Sequence, residues 1–194
     1  MLLLGAAGNR DEDKEMLGAV DEALREDPAQ PEAIVARARA DKSSPLPLLR
    51  KSVAARPGDW RAWLLLGTAL GDGSGEEKEA AYRKAVALNP DSASAHETLA
   101  RYLLSRGRAK EALPMANRAL DLVPADENSV DTLAGVAGGL GKCKEALVLE
   151  RRAIAVASKK SPRADEMKKR LADYEARCGS TAPAAASLAP APAH

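Results

Sequence analysis

Few side chains in this sequence could do chemistry, and their spacing argues against most of it. The chain holds two histidines, His96 and His194, and two cysteines, Cys143 and Cys178. Acid–base or nucleophilic catalysis needs a second reactive group within reach of the first. Neither histidine has a nucleophile at a matching spacing, and His194 is the last residue. The run Asp72-Gly73-Ser74-Gly75-Glu76 superficially resembles a calcium loop or a phosphate cradle. No strand pattern precedes it, and Glu77 stands where a calcium loop needs glycine. Two cysteines with no nearby histidine make a poor zinc set. The sequence therefore predicts no catalytic residue, no metal site and no cofactor.

The elements around these residues are helical. About a fifth of the chain is Ala, and Val, Ile, Thr and Tyr are too sparse to furnish a sheet. Phe is absent and aromatics are 3% of the chain, so the core must be closed by Ala, Leu and Val between helices that lie close together. Lys plus Arg is 29 against 28 for Asp plus Glu, a net charge of +1. No global field draws in nucleic acid or anionic lipid, so neither is expected as a partner. No apolar run approaches the roughly 18 residues that a membrane span needs.

Proline punctuates the helices at Pro28, Pro57, Pro90 and Pro124, with spacings of 29, 33 and 34 residues. A period near 34 is the length of a helix-turn-helix unit that must stack on a neighbour to bury its apolar face. In residues 60–90, Trp63, Leu66, Gly67 and Leu70 mark one face of a first helix, and Tyr82, Ala85, Val86 and Leu88 mark a second. The next unit repeats the pattern with His96, Leu99, Ala100, Gly107, Ala112, Ala119 and Pro124. The following one has Val130, Leu133, Ala134, Gly141, Ala146 and Ala153, with Ser158 in place of proline. These residues resemble the signature of the tetratricopeptide-repeat family, Trp-x2-Leu-Gly followed by small residues on the second helix and a terminal Pro. His96 then occupies an anchor slot and is read as packing rather than reacting.

The resemblance implies an all-α fold, a right-handed superhelix of antiparallel helix pairs, with units at about 1–28, 29–57, 58–90, 91–124 and 125–158. Leu2-Leu3-Leu4-Gly5 lines up with Leu64-Leu65-Leu66-Gly67, and Gly5 to Pro28 and Gly67 to Pro90 are both 23 residues. The first unit is thus expected to open inside its first helix, with the lead-in turn upstream of Met1. A secretion-signal remnant is the competing reading of residues 1–8, although no basic region precedes the apolar stretch. Unit 29–57 is compressed, and Pro114 is expected either to kink its helix or to mark a late start. Met167, Leu171 and Tyr174 at helical spacing predict a capping helix over 162–178, as a solenoid's last repeat requires. The basic cluster of Lys159, Lys160, Lys168, Lys169 and Arg170 is read as its solvated outer face. Residues 179–194, rich in Ala and Pro, read as a disordered tail.

If the last helix of the array and the cap form an antiparallel hairpin, Cys143 and Cys178 are equidistant from a turn between Lys160 and Ser161. That register brings the two thiols within disulfide reach. A bridge would place the chain in an oxidising compartment, whereas two unrelated reduced thiols would fit a cytosol.

In this family the first helix of each pair lines the concave surface. Periodicity then assigns Glu32, Val35 and Arg39 to that face in one unit, and Arg61, Leu64 and Thr68 in the next. Ser94, Glu97, Arg101 and Leu104 follow, then Asn128, Asp131 and Gly135. The mixture suits an extended or helical peptide. Leu64, Thr68 and Glu97 break the Lys, Asn and Arg set with which chaperone-binding members clamp a peptide C-terminus. The resemblance implies a non-catalytic protein–protein interaction scaffold, extracytoplasmic (periplasmic or exported) and bacterial, belonging to a larger protein. An accessory substrate-presenting domain of a membrane-bound enzyme, of glycosyltransferase or cytochrome c maturation type, and a cytoplasmic assembly adaptor remain the alternatives.

Overall fold

The computed structural model describes residues 10–71, 74–157 and 161–178. The expected opening half-helix at residues 1–8, the Asp72-Gly73 pair, Ser158, Lys159, Lys160 and the tail at 179–194 lie outside these. The described residues form helices only: α1 (Arg10–Glu26), α2 (Pro31–Ala40), α3 (Leu46–Ala55), α4 (Trp60–Ala69), α5 (Gly75–Leu88), α6 (Ala93–Ser105), α7 (Ala109–Leu122), α8 (Glu127–Gly139), α9 (Cys143–Val156) and α10 (Ala164–Cys178). They gather into two compact units, residues 1–95 and 96–194.

Local chemistry sets the helix ends. Asp59 accepts a hydrogen bond from the Arg61 amide at 3.0 Å, and Asp126 accepts one from the Ser129 amide at 2.8 Å, so each caps the helix that follows. Pro31 opens α2, where its missing N–H is no loss. Three helices close the same way, with a left-handed residue followed by an amide that reaches back to the last turn. Gly107 (φ 73) precedes Arg108, whose amide donates to the Leu103 carbonyl at 2.9 Å. Gly141 (φ 74) precedes Lys142, whose amide donates to Ala137 at 2.9 Å. At the end of α2 the same place is taken by Lys42 (φ 53), with the Ser43 amide donating to Ala38 at 2.9 Å. Glycine holds this conformation without a Cβ clash, whereas lysine does not.

In the first unit α2 packs on α1, α3 and α4, and α4 packs on α3 and α5. Ile34, Leu49, Val53, Ala62, Leu66 and Leu70 form its core, each apolar side chain the size of Leu or Ile contributing about 1.5–3 kcal/mol. Trp63 leans on this core and donates its indole N–H to the Pro57 carbonyl at 2.9 Å. The buried Tyr82 ring packs directly onto Gly67, where a Cβ would stand 2.5 Å from Cε1.

In the second unit α8 packs on α7 and α9, and α9 on α10. Its core runs through Val130, Ala137, Ala146, Leu147 and Ala153 to Met167 and Tyr174, which α10 supplies. The glycines of α8 sit at close approaches on two sides. A Cβ at Gly138 would meet the Tyr174 hydroxyl at 2.5 Å, and one at Gly139 would meet Leu104 at 2.9 Å. The late helix start considered at Pro114 is not found, because α7 begins at Ala109 and runs through that exposed proline.

Lys42→Gly should stabilise the first unit by about 0.5–1 kcal/mol, the relief of a left-handed side chain less the entropy that glycine adds to the unfolded chain. Urea denaturation followed by the fluorescence of Trp60 and Trp63 measures this, and a lower midpoint would show that Lys42 makes a compensating contact.

Candidate functional site

The exposed face of α2 and α4 carries mixed charge over an apolar floor. Glu32 and Arg61 are both exposed and pair across the two helices at 3.6 Å, while the Arg61 guanidinium lies 4.7 Å from the Trp60 ring centroid. Below them, Glu32, Arg61, Asp59, Arg56 and Asp27 line a polar cavity of about 560 Å³. The hydrogen bond from Arg56 to Asp27, at 2.5 Å, holds that carboxyl below its ordinary range. A second cavity of about 420 Å³ opens between the ends of the same helices, with Val35, Ala38, Leu65 and Ala69 as apolar wall and Arg39, Lys42 and Thr68 on its rim. Arg39 and Thr68 are exposed and Leu64 is half-buried; Thr68 donates its hydroxyl to the Leu64 carbonyl at 3.0 Å. Ser94 is exposed near the start of α6.

The residues predicted for the second unit fall differently. Arg101 is exposed and bonds the half-buried Glu97 at 3.4 Å, and burial pushes the Glu97 carboxyl up. Leu104 is spent on packing, its methyls lying where Cβ atoms at Gly135 and Gly139 would stand. Asn128 accepts from Arg163 at 3.3 Å. Asp131, expected on an open face, is instead buried and ion-paired to both Arg163 and Arg170. It belongs to the seam under α10 and is not exposed to a partner.

Arg170 also donates to Glu150 at 3.0 Å, and Glu150 is fully buried in α9. The reading of Arg170 as part of a solvated outer face is corrected accordingly. Lys168 and Lys169 do face outward, but Arg170 is half-buried on the same stripe as Met167 and Tyr174. Sequence reasoning missed this network of Asp131, Glu150, Arg163 and Arg170. Its signal was present in the spacing of 163, 167, 170 and 174 along one helix face. Burial raises the Glu150 carboxyl to about 7, against the pull of the Arg163 guanidinium.

His96 is buried in α6, in keeping with an anchor position. Among the described residues no group of three or more His, Cys, Asp or Glu could hold a metal ion, and no helix is long and apolar enough to cross a membrane. Cys143 opens α9 and Cys178 is the last residue of α10.

Residues 81–113, from within α5 through α6 into α7, match the family profile described as tetratricopeptide repeat. Solved structures extend the likeness to most of the chain. A MamA double mutant from strain RS-1 matches with a TM-score of 0.66 at 20% identity, covering 79% of this chain and 86% of its own. The chain has the tetratricopeptide-repeat fold. A thermophilic tetratricopeptide protein in Thermus thermophilus matches with a TM-score of 0.63 at 22% identity, over 81% of this chain and 88% of that one. MamA from residue 41 onward, of Desulfovibrio magneticus RS-1, gives 0.59 at 19% identity, over 89% and 88%. At these identities the likeness is one of fold. Among curated proteins the sequence finds no match. On the repeat pattern of the sequence, α2, α4, α6 and α8 take the place of first helices in their pairs.

Because Glu150 takes up a proton more readily in the folded chain than in the unfolded one, its contribution to stability is complete below its ordinary value of 4.5 and lost as pH rises through 7. Between pH 5 and 8 the loss should be on the order of 2 kcal/mol. Urea melts of the parent chain and of Glu150→Gln at the two pH values isolate this term. A slope as steep in the variant as in the parent would refute it.

Proposed function

We propose that the chain is a non-catalytic scaffold that binds an extended polypeptide on the exposed faces of its first helices, and that it serves as the extracytoplasmic module of a larger protein. The observation that carries the binding role is the α2–α4 face, where Glu32, Arg39, Arg61 and Thr68 stay exposed beside an apolar groove. Solenoids of this kind use such surfaces to grip polypeptides by shallow pockets and hydrogen bonds. Residues Glu97 and Arg101 of α6 are assigned the same role in the second unit.

The extracytoplasmic assignment rests on a proposed Cys143–Cys178 disulfide. Two observations support it. The register of α9 against α10 groups Leu147 with Tyr174, centred on the point that relates the two cysteines, and pairs Glu150 with Arg170 within half a residue of it. Cys143 is not a free thiol. Such a bridge would close the cap and contribute roughly 3 to 4 kcal/mol on the chain-entropy account.

Two experiments test these readings. Panning random dodecapeptides on the full chain should enrich binders that Arg61→Ala weakens about tenfold, as truncating a binding hot spot does. Lys51→Ala, on the exposed side of α3, should leave them unchanged. Binders indifferent to Arg61 and sensitive to Lys51 would move the site elsewhere. Thiol titration of the denatured chain without reductant should find no reactive thiol, and two reactive thiols would sink both the bridge and the extracytoplasmic assignment.

A further inference from the structure

We propose that the cavity between the ends of α2 and α4 selects an acidic side chain next to an aliphatic one in the bound polypeptide. This rests on the α2–α4 face being the binding face and adds what that face selects. The wall is apolar, built from Val35, Ala38, Leu65 and Ala69, and Ala38 is the one among them that is fully buried. That wall suits an aliphatic side chain and offers it no hydrogen bond.

The rim supplies the charge. Arg37, two residues before Arg39 on α2, is neutralised by Asp21 and Asp41 at 3.2 and 3.0 Å. Arg39 and Lys42 are exposed, and among the described residues no carboxylate pairs with either. Two cations at the mouth of an apolar groove, whose lining includes no acid and beside which Asp41 is already held by Arg37, leave a carboxylate as the complementary group. Lys42 adds a second observation. It keeps a long charged side chain at a left-handed position that glycine fills at the ends of α6 and α8. Its backbone penalty leaves the ammonium among the residues that line the groove.

An acidic side chain fits better than a chain terminus. The cations are two independent flexible side chains, and the backbone amides of Asp41, Lys42 and Ser43 beside them are spent on the carbonyls that end α2 rather than turned to a terminal carboxylate. An internal Asp or Glu can reach them while the peptide continues along the helices on either side.

The test is a titration of the ¹⁵N-labelled full chain with acetylated, amidated hexapeptides, Gly-Ser-Leu-Glu-Ser-Gly as probe and its Leu-Gln and Ala-Glu versions as controls. Amide shifts should appear at residues 35–45 and 64–69 with the Leu-Glu peptide and be largely lost with either control. Arg39→Gln and Lys42→Gln, both at exposed positions, should each weaken binding about three- to fivefold, the range of exposed ion pairs, and 0.5 M salt should do the same. Equal shifts with Leu-Gln, or stronger binding of a Leu-terminated peptide with a free carboxylate, would overturn the proposal. So would shifts confined to other residues, but if those include Arg61 or Arg101 the scaffold reading survives. Loss of the panned dodecapeptides' dependence on Arg61 would sink that reading separately.

Discussion

Within each unit the described helices cover their apolar stripes only because a neighbouring helix lies close enough to shield them, and residues with little or no side chain set that closeness. With no Phe to fill space, Ala and Gly let neighbouring backbones approach until Leu, Ile and a few aromatics can span the gap. Gly67 under Tyr82 and Gly138 under Tyr174 are the same device used twice, once between paired helices and once where the terminal helix docks. Both seams would be overpacked by a single methyl group. Dependence on neighbours is what makes the fold a repeat rather than a globule with one central core.

The same constraint explains what the sequence disclosed. Helix ends could be read because Pro28, Pro57, Pro90 and Pro124 act locally, each closing a helical pattern it cannot continue. The packing stripe could be read because Trp63, Leu66 and Gly67 recur in kind at a fixed period. Lys42 escaped notice because it does the work of a glycine without being one.

What repeat logic hid lies at the end of the array. A period assigns the same environment to equivalent positions, and Asp131 was read as exposed on that ground. The last pair, however, has α10 beside it, and α10 brings charge as well as apolar surface. Arg170 was obscured by its neighbours, since Lys168-Lys169-Arg170 looks like one basic run until the helix phase separates the first two from the third. Buried ion pairs of this kind seldom add net stability over a well-packed apolar seam, but breaking one by removing a partner is expensive.

That network also orders events in time. Asp131 and Glu150 belong to α8 and α9, and both draw on the same Arg170 guanidinium, which lies later in the chain. While the polypeptide is being made, α8 and α9 emerge first and meet with two acidic groups turned inward and no counter-charge between them. The pair can associate loosely but has reason not to close until the final helix arrives. The seam of α8 and α9 therefore lacks these counter-charges in any chain that stops short of α10.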